Sequence, residues 1–233
     1  METSALLEFI RLVVAGDADR VSRRLSAAPA LAITASPVGA TRQQATDFFF
    51  TAISHYLYAG DTPLHMAAAA FSRPVAELLM THGADCRARN RRGAEPLHYA
   101  ADGGRSQPQA QAAVIEYLIS IGAEPNAMDK TGVAPLHRAV RGRSLAAVRA
   151  LLDGGADPRK PNKSGSTPLH LAVQNTGASG SGSDDAHKQQ AAIIKLLIAR
   201  GARPTDKDSQ GKTVKQAATS LWIRQLLGET KAS

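Results

Sequence analysis

One word of four positions recurs along the chain: Thr62-Pro-Leu-His65, Glu95-Pro-Leu-His98, Ala134-Pro-Leu-His137 and Thr167-Pro-Leu-His170. Such self-similarity constrains the fold more than any other feature. Each copy must build the same small unit, and a unit that cannot bury its apolar face alone must stack on its neighbours. A glycine stands two places before each word, at Gly60, Gly93, Gly132 and Gly165, and again at Gly211 before Thr213. These glycines lie 33, 39, 33 and 46 residues apart, which reads as one 33-residue unit carrying insertions of six and 13 residues.

The word opens a helix. Thr62 and Thr167 sit at an N-cap position and proline follows at the first helical position, where its missing N–H costs nothing. Glu95 and Ala134 replace the threonine in the middle units, and an alanine cap forfeits about 0.5–2 kcal/mol that stacking has to cover. A second helix ends at Gly83-Ala-Asp, Gly122-Ala-Glu, Gly155-Ala-Asp and Gly201-Ala-Arg, with glycine suited to a left-handed C-terminal position. The pairs Leu79-Met80, Leu118-Ile119, Leu151-Leu152 and Leu197-Ile198, each backed a turn earlier as by Val75, Val114 or Ile194, form the stacking faces.

Word, glycines and period together resemble the ankyrin-repeat family across residues 60–227. The resemblance implies an all-α solenoid of stacked helix-turn-helix units with projecting hairpin loops and degenerate terminal caps. The chain then divides into a single repeat domain over 1–233. Residues 1–59 form an N-terminal cap with a helical insertion, 60–92, 93–131, 132–164 and 165–210 are repeats, and 211–233 is a C-terminal cap. Leu6, Leu7, Ile10, Val13 and Val14 follow helical spacing in the first cap. Residues 43–58 read as a helix holding Phe48, Phe49, Phe50, Tyr56 and Tyr58, as an end plug or as partner anchors. The insertions at 102–111 and 175–188 are polar and rich in helix breakers, so both read as surface loops and the second as mobile.

Composition narrows the chemistry. The chain is 43% hydrophobic but only 4% aromatic, which favours helices over an all-β sandwich. Its one cysteine, Cys86, cannot form an internal disulfide, and no Cys/His cluster has zinc-ligand spacing. No basic leader and no run of about 18 apolar residues is present, so the chain reads as cytoplasmic, monomeric and without a membrane partner. Gly211-Lys-Thr213 imitates a phosphate-binding loop, but Asp206 stands where the pattern needs glycine. No catalytic word appears, so the chain reads as non-catalytic, with no metal or cofactor. The histidines His65, His98, His137 and His170 cannot converge on one ion, because stacked helices lie roughly 10 Å apart and ligand bonds are about 2 Å. The resemblance implies instead that they tie adjacent loops by hydrogen bonds.

Charge points to a partner. The net charge is +8, and two windows carry it: 86–105, with five arginines against two carboxylates, and 138–163, with seven Lys/Arg against two. In the resembled fold the segment after Gly-Ala-Asp is the projecting loop, which places Arg87, Arg89, Arg91, Arg92, Lys130, Arg159, Lys160 and Lys163 in one row. Arg138 and Arg141 join them on the concave side, with Tyr99 and Met66 as apolar groove contacts. The leading expectation is a protein-interaction module that docks an acidic or extended protein segment. A second is an enzyme or small-molecule site in a pocket of His55, Tyr56, Tyr58, Asp61, Met66, Tyr99 and Asp102. A third, nucleic-acid binding, suits the pI near 9.9 but lacks base-stacking aromatics among the basic loops.

Overall fold

The computed structural model describes residues 3–41, 43–103, 106–174 and 184–229. Helix pairs follow one another along the chain: α1 (Thr3–Val14) and α2 (Ala18–Ala27), then α3 (Pro63–Ala69) and α4 (Arg73–Thr81). Next come α5 (Pro96–Ala100) with α6 (Pro108–Ser120), α7 (Pro135–Gly142) with α8 (Leu145–Asp153), and α9 (Pro168–Ala172) with α10 (Asp184–Ala199). The last pair is α11 (Val214–Ala217) and α12 (Leu221–Glu229). First helices stack on first helices, α1 on α3 on α5 on α7 on α9 on α11, and second helices on second helices from α2 to α10. The architecture is the expected all-α solenoid.

Proline opens each of α3, α5, α7 and α9. The cap rests on the histidine rather than on threonine. The backbone N–H groups of Thr62, Glu95, Ala134 and Thr167 each donate to Nδ1 of the histidine three residues on, at 3.1–3.2 Å. That bond survives where Glu95 and Ala134 stand, because it needs no side chain at the cap. With Nδ1 accepting, Nε2–H donates across to the following loop, to Ala94 O, Val133 O, Ser166 O and Lys212 O at 3.1–3.3 Å. In the terminal unit Gln216 replaces histidine: it caps Thr213 N–H at 2.8 Å. The inner member of each aliphatic pair, Leu79, Leu118, Leu151 and Leu197, is fully buried.

Four projecting loops each turn on one Asx side chain. Asn90 Oδ1 accepts from Arg92 and Ala94 N–H, and Asp129, Asn162 and Asp208 repeat the arrangement. Asn90 N–H then donates to Ala94 O four residues on, and Gly93 N–H returns to Asn90 O. In the first unit the same two bonds run from Ser36 N–H to Asp61 O and from Gly60 N–H to Ser36 O. The stretch before Gly60 is therefore a projecting loop enlarged at its tip.

Its interior departs from the expected helix over 43–58. A short 3-10 turn at Thr46–Phe48 leads into a hairpin of β1 (Phe49–Phe50) and β2 (His55–Tyr56), whose connection holds a second 3-10 turn at Thr51–Ile53, with Phe49 opposite Tyr56 and Phe50 opposite His55. Three successive phenylalanines favour extended backbone, and Ser54 makes the reversal at φ 49°. Leu57 is fully buried, while Phe49 stays exposed, so the loop is anchored by Leu57 more than by its aromatics.

The insertions also differ from expectation. Residues 108–111 belong to α6, and Gln111, in the segment read as a surface loop, is completely buried. Its Nε2 donates to Ala100 O at 2.9 Å and its Oε1 accepts from Ser144 Oγ at 2.6 Å, so the carboxamide satisfies buried groups on both sides. Gln190 does the same in α10, donating to Ala172 O at 2.7 Å. Residues 184–188 are helical as well, and the remainder of the second insertion, 175–183, lies outside the described residues.

Candidate functional site

The enlarged loop folds over the next two units and closes part of the concave face into a pocket of about 270 Å³. His55, Tyr56 and Tyr58 form one wall, and Arg92, Tyr99 and Asp102 face them from the second unit. Asp129, Thr131, Arg138 and Arg141 complete the far side.

The floor is a buried polar network. Asp61 has no exposure, and its carboxylate accepts from Tyr99 OH at 2.7 and 2.9 Å, from Asn90 Nδ2 at 2.8 Å and from Tyr58 N–H at 2.6 Å. Tyr99 OH also accepts from Asn90 Nδ2 at 2.9 Å. Burial and the Asp61 carboxylate push the Tyr99 hydroxyl far above the usual tyrosine range, so it stays protonated and donates. In the other loops the position of Asp61 is held by Ala94, Val133, Ser166 and Lys212, so this network is particular to the enlarged loop.

His55 packs on the Tyr99 ring with centroids 4.4 Å apart. Its Nδ1–H donates to Tyr56 O at 2.8 Å, leaving Nε2 as an acceptor 4.0 Å from Asp102 Oδ2. Burial lowers the His55 pKa against the raising effects of the Tyr56 carbonyl and of Asp102 and Asp61, so the ring is neutral at pH 7. Arg138 bridges Asp102 at 3.4 Å and Asp129 at 2.9 Å. Burial alone would raise Asp129, but hydrogen bonds from Thr131, Val133 and Arg138 outweigh it and hold the carboxyl at about 2. Arg141, one turn beyond Arg138, is exposed at the rim and forms no ion pair among the described residues. Arg92 lies over the Tyr58 ring at 4.7 Å.

The expected pocket is thus largely assembled, with two corrections. Asp61 lies beneath the pocket as its hydrogen-bonded support, and Met66, fully buried in the core, does not reach it. Tyr99 is 1% exposed, so it is a packed wall and not the free apolar groove contact expected of it. Thr131 and Asn90 escaped notice in the sequence. The signal available was that each occupies a hairpin turn beside an Asx or glycine.

The cation row is also less free than its spacing suggests. Arg89 donates to Met128 O and pairs with Glu95, and Arg91 donates to Ala40 O at 2.7 Å. Arg159 forks onto Asp206 at 2.8 and 3.1 Å, and Lys163 Nζ donates to Lys130 O. These four hold one loop to another. Arg87, Lys130 and Lys160 make no side-chain bond among the described residues. Glu95, at the cap of α5, is buried and its Oε2 has no hydrogen-bond partner among those residues, so burial raises its pKa despite Arg89. Cys86 is buried, donates to Ile121 O at 3.6 Å, and burial pushes its thiol pKa up.

The family model for ankyrin repeats, in three copies, matches residues 40–129 and 109–208. The chain belongs to the ankyrin-repeat family. Domains of ankyrin repeats serve in general as protein-protein interaction modules and are typically non-catalytic. No curated protein matches this ankyrin-repeat chain. Among the described residues no helix is long and apolar enough to cross a membrane, and no group of His, Cys, Asp or Glu is arranged to hold a metal.

Proposed function

We propose that this ankyrin-repeat protein docks an acidic segment of a protein partner along its loop row and basic concave rim. The observation that carries the reading is that Arg87, Lys130, Lys160 and Arg141 stand exposed or half-exposed on successive projecting loops and at the concave rim, with no ion pair among the described residues, on a chain of net charge +8. Cations already committed to neighbouring loops add nothing to docking, whereas unpaired ones on a rigid scaffold steer a negative partner and pair with its carboxylates without reorganising. The family's general use in protein interaction supports the same reading.

The experiment is affinity capture from a lysate, followed by titration of the purified captured protein against wild type and the triple variant Arg87→Glu, Lys130→Glu, Lys160→Glu. All three side chains are clear of the core, so melting temperatures should agree. The expected result is binding that weakens with salt and is lost in the variant. Equal binding by both would reduce the row to a solvated face.

A second reading is favoured by the partly closed pocket with its neutral, half-buried His55. There the face would act on or hold a small molecule, with His55 Nε2 as the proton acceptor. A small-molecule screen by thermal shift, repeated on His55→Gln, separates it from the first.

A further inference from the structure

We propose that the pocket under the enlarged loop is a peptide subsite: it seats one carboxylate side chain of an extended acidic segment against Arg141 and Arg92, while peptide N–H groups donate to His55 Nε2 and Asp102. The inference rests on the protein-docking reading and names the place and the chemistry of the contact.

Three observations converge on it. The first is what the pocket lacks. His55 Nε2 is an acceptor 4.0 Å from Asp102 Oδ2, an oxygen that already accepts from Arg138 at 3.4 Å and shares the same space. His55 Nε2 itself has no hydrogen-bond donor among the described residues, and such an acceptor calls for a donor from outside. Burial keeps His55 neutral, so it does not supply that proton itself.

The second is the pattern of charge. Arg138 is committed to two carboxylates, Asp102 and Asp129, which leaves the rim guanidiniums of Arg141 and Arg92 as the positive groups available to a ligand. A ligand that suits the site must therefore carry both a negative group and N–H donors. An extended acidic peptide carries both, because its backbone presents N–H groups beside each side-chain carboxylate.

The third is the continuation of the surface. Tyr56, Tyr58 and Arg92 also line a second, more apolar depression of about 380 Å³ with Ala40 and Ala45. The stacked Tyr58 and Arg92 are thus common to both. Phe49 extends the aromatic wall, 4.8 Å from Tyr56, which in turn lies 6.2 Å from Tyr58. Successive side chains on one side of an extended strand lie about 7 Å apart, so a peptide that places a carboxylate in the first depression offers an apolar side chain to the second. Tyrosine and arginine are the residues that dominate binding hot spots.

The test is selection of a random linear peptide library displayed on phage against the immobilised full chain. Enriched sequences are then titrated as synthetic peptides against wild type, Arg141→Ala, Arg92→Ala and the row variant Arg87→Ala, Lys130→Ala, Lys160→Ala. The expected result is enrichment of an acidic residue close to an apolar one. Binding should weaken at least about tenfold in Arg141→Ala, the loss of one charge-assisted contact, and hold within about twofold in the row variant. Arg141 is exposed, so an unchanged melting temperature will show that the loss is not unfolding. Acidic peptides that respond only to the row variant would overturn the subsite and leave the broader docking reading standing. Enrichment without acidic residues, or no enrichment while free glutamate or citrate binds in an Arg141-dependent way, would overturn it as well, the latter by assigning the pocket to small carboxylates.

Discussion

Replacing His98 with glutamine should change how strongly stability depends on pH, by an amount the structure sets. His98 is fully buried, accepts from Glu95 N–H and donates to Val133 O, both at 3.1 Å, and so is held neutral. Burial, reinforced by the Arg138 charge, lowers its pKa from 6.5 to about 3. A histidine whose folded pKa is depressed binds protons more readily in the unfolded chain. Its contribution is therefore intact above pH 6.5 and is lost progressively as pH falls from there towards 3. At about 1.4 kcal/mol per pH unit below 6.5, the step from pH 7 to pH 5 removes about 2 kcal/mol from the wild type through this residue alone. His65 and His137, whose pKa values burial also lowers, act in the same direction and are common to both proteins. The glutamine variant does not titrate. It should lie about 3 kcal/mol below wild type at pH 7, the cost of two disturbed buried hydrogen bonds, and only about 1 kcal/mol below it at pH 5. Urea unfolding followed by circular dichroism at the two pH values measures both gaps. A gap that is the same at pH 5 as at pH 7 would show that His98 is not held neutral, and the reasoning about the ladder would fail with it.

Tyr99→Phe removes a buried donor to Asp61 and should cost about 2 kcal/mol in denaturant unfolding, whereas Asp61→Ala takes the acceptor from Tyr99 OH and Tyr58 N–H and one of two acceptors from Asn90 Nδ2, and should cost about 3–5 kcal/mol. Equal costs would mean that the network is not centred on the carboxylate. Gly155→Ala at φ 90° meets open space and should cost about 1–2 kcal/mol, the left-handed penalty alone. Gly60→Ala at φ 86° adds a Cβ 2.8 Å from Arg91 N and should exceed it by about 1 kcal/mol or more, read as a lower thermal midpoint. Gln111→Ala leaves Ser144 Oγ and Ala100 O without their bonds and should cost about 2–3 kcal/mol, whereas a tolerant surface loop would lose almost nothing.

Gln111 and the enlarged loop show where sequence reading stops. Residues 102–111 look like a loop because Gly103, Gly104 and Pro108 stand among polar side chains, yet Pro108 is the first residue of α6. Proline is as suited to opening a helix as to breaking one, and the choice depends on what the next turn packs against. His55, Tyr56, Tyr58 and Asp102 were legible as a cluster of ionisable and aromatic groups near the first repeats. The role of Asp61 was not, because an acidic residue in a loop is ordinarily solvated and only the approach of Tyr99 and Asn90 makes its burial tolerable.

The sequence alone determined the repeat: proline at the helix start, histidine three residues past the cap, glycine where the chain must turn left-handed, and aliphatic pairs on the second helix. Each of these acts within a few residues or through a neighbour built the same way, so local chemistry and periodicity specify them. Only the tertiary structure decided that the first projecting loop is enlarged and folds back as a hairpin, which cations are spent holding loops together, and which groups meet in the pocket. Those outcomes depend on contacts between residues 29 to 51 positions apart, such as Asp61 with Asn90 and Arg91 with Ala40, whose partners no local pattern names.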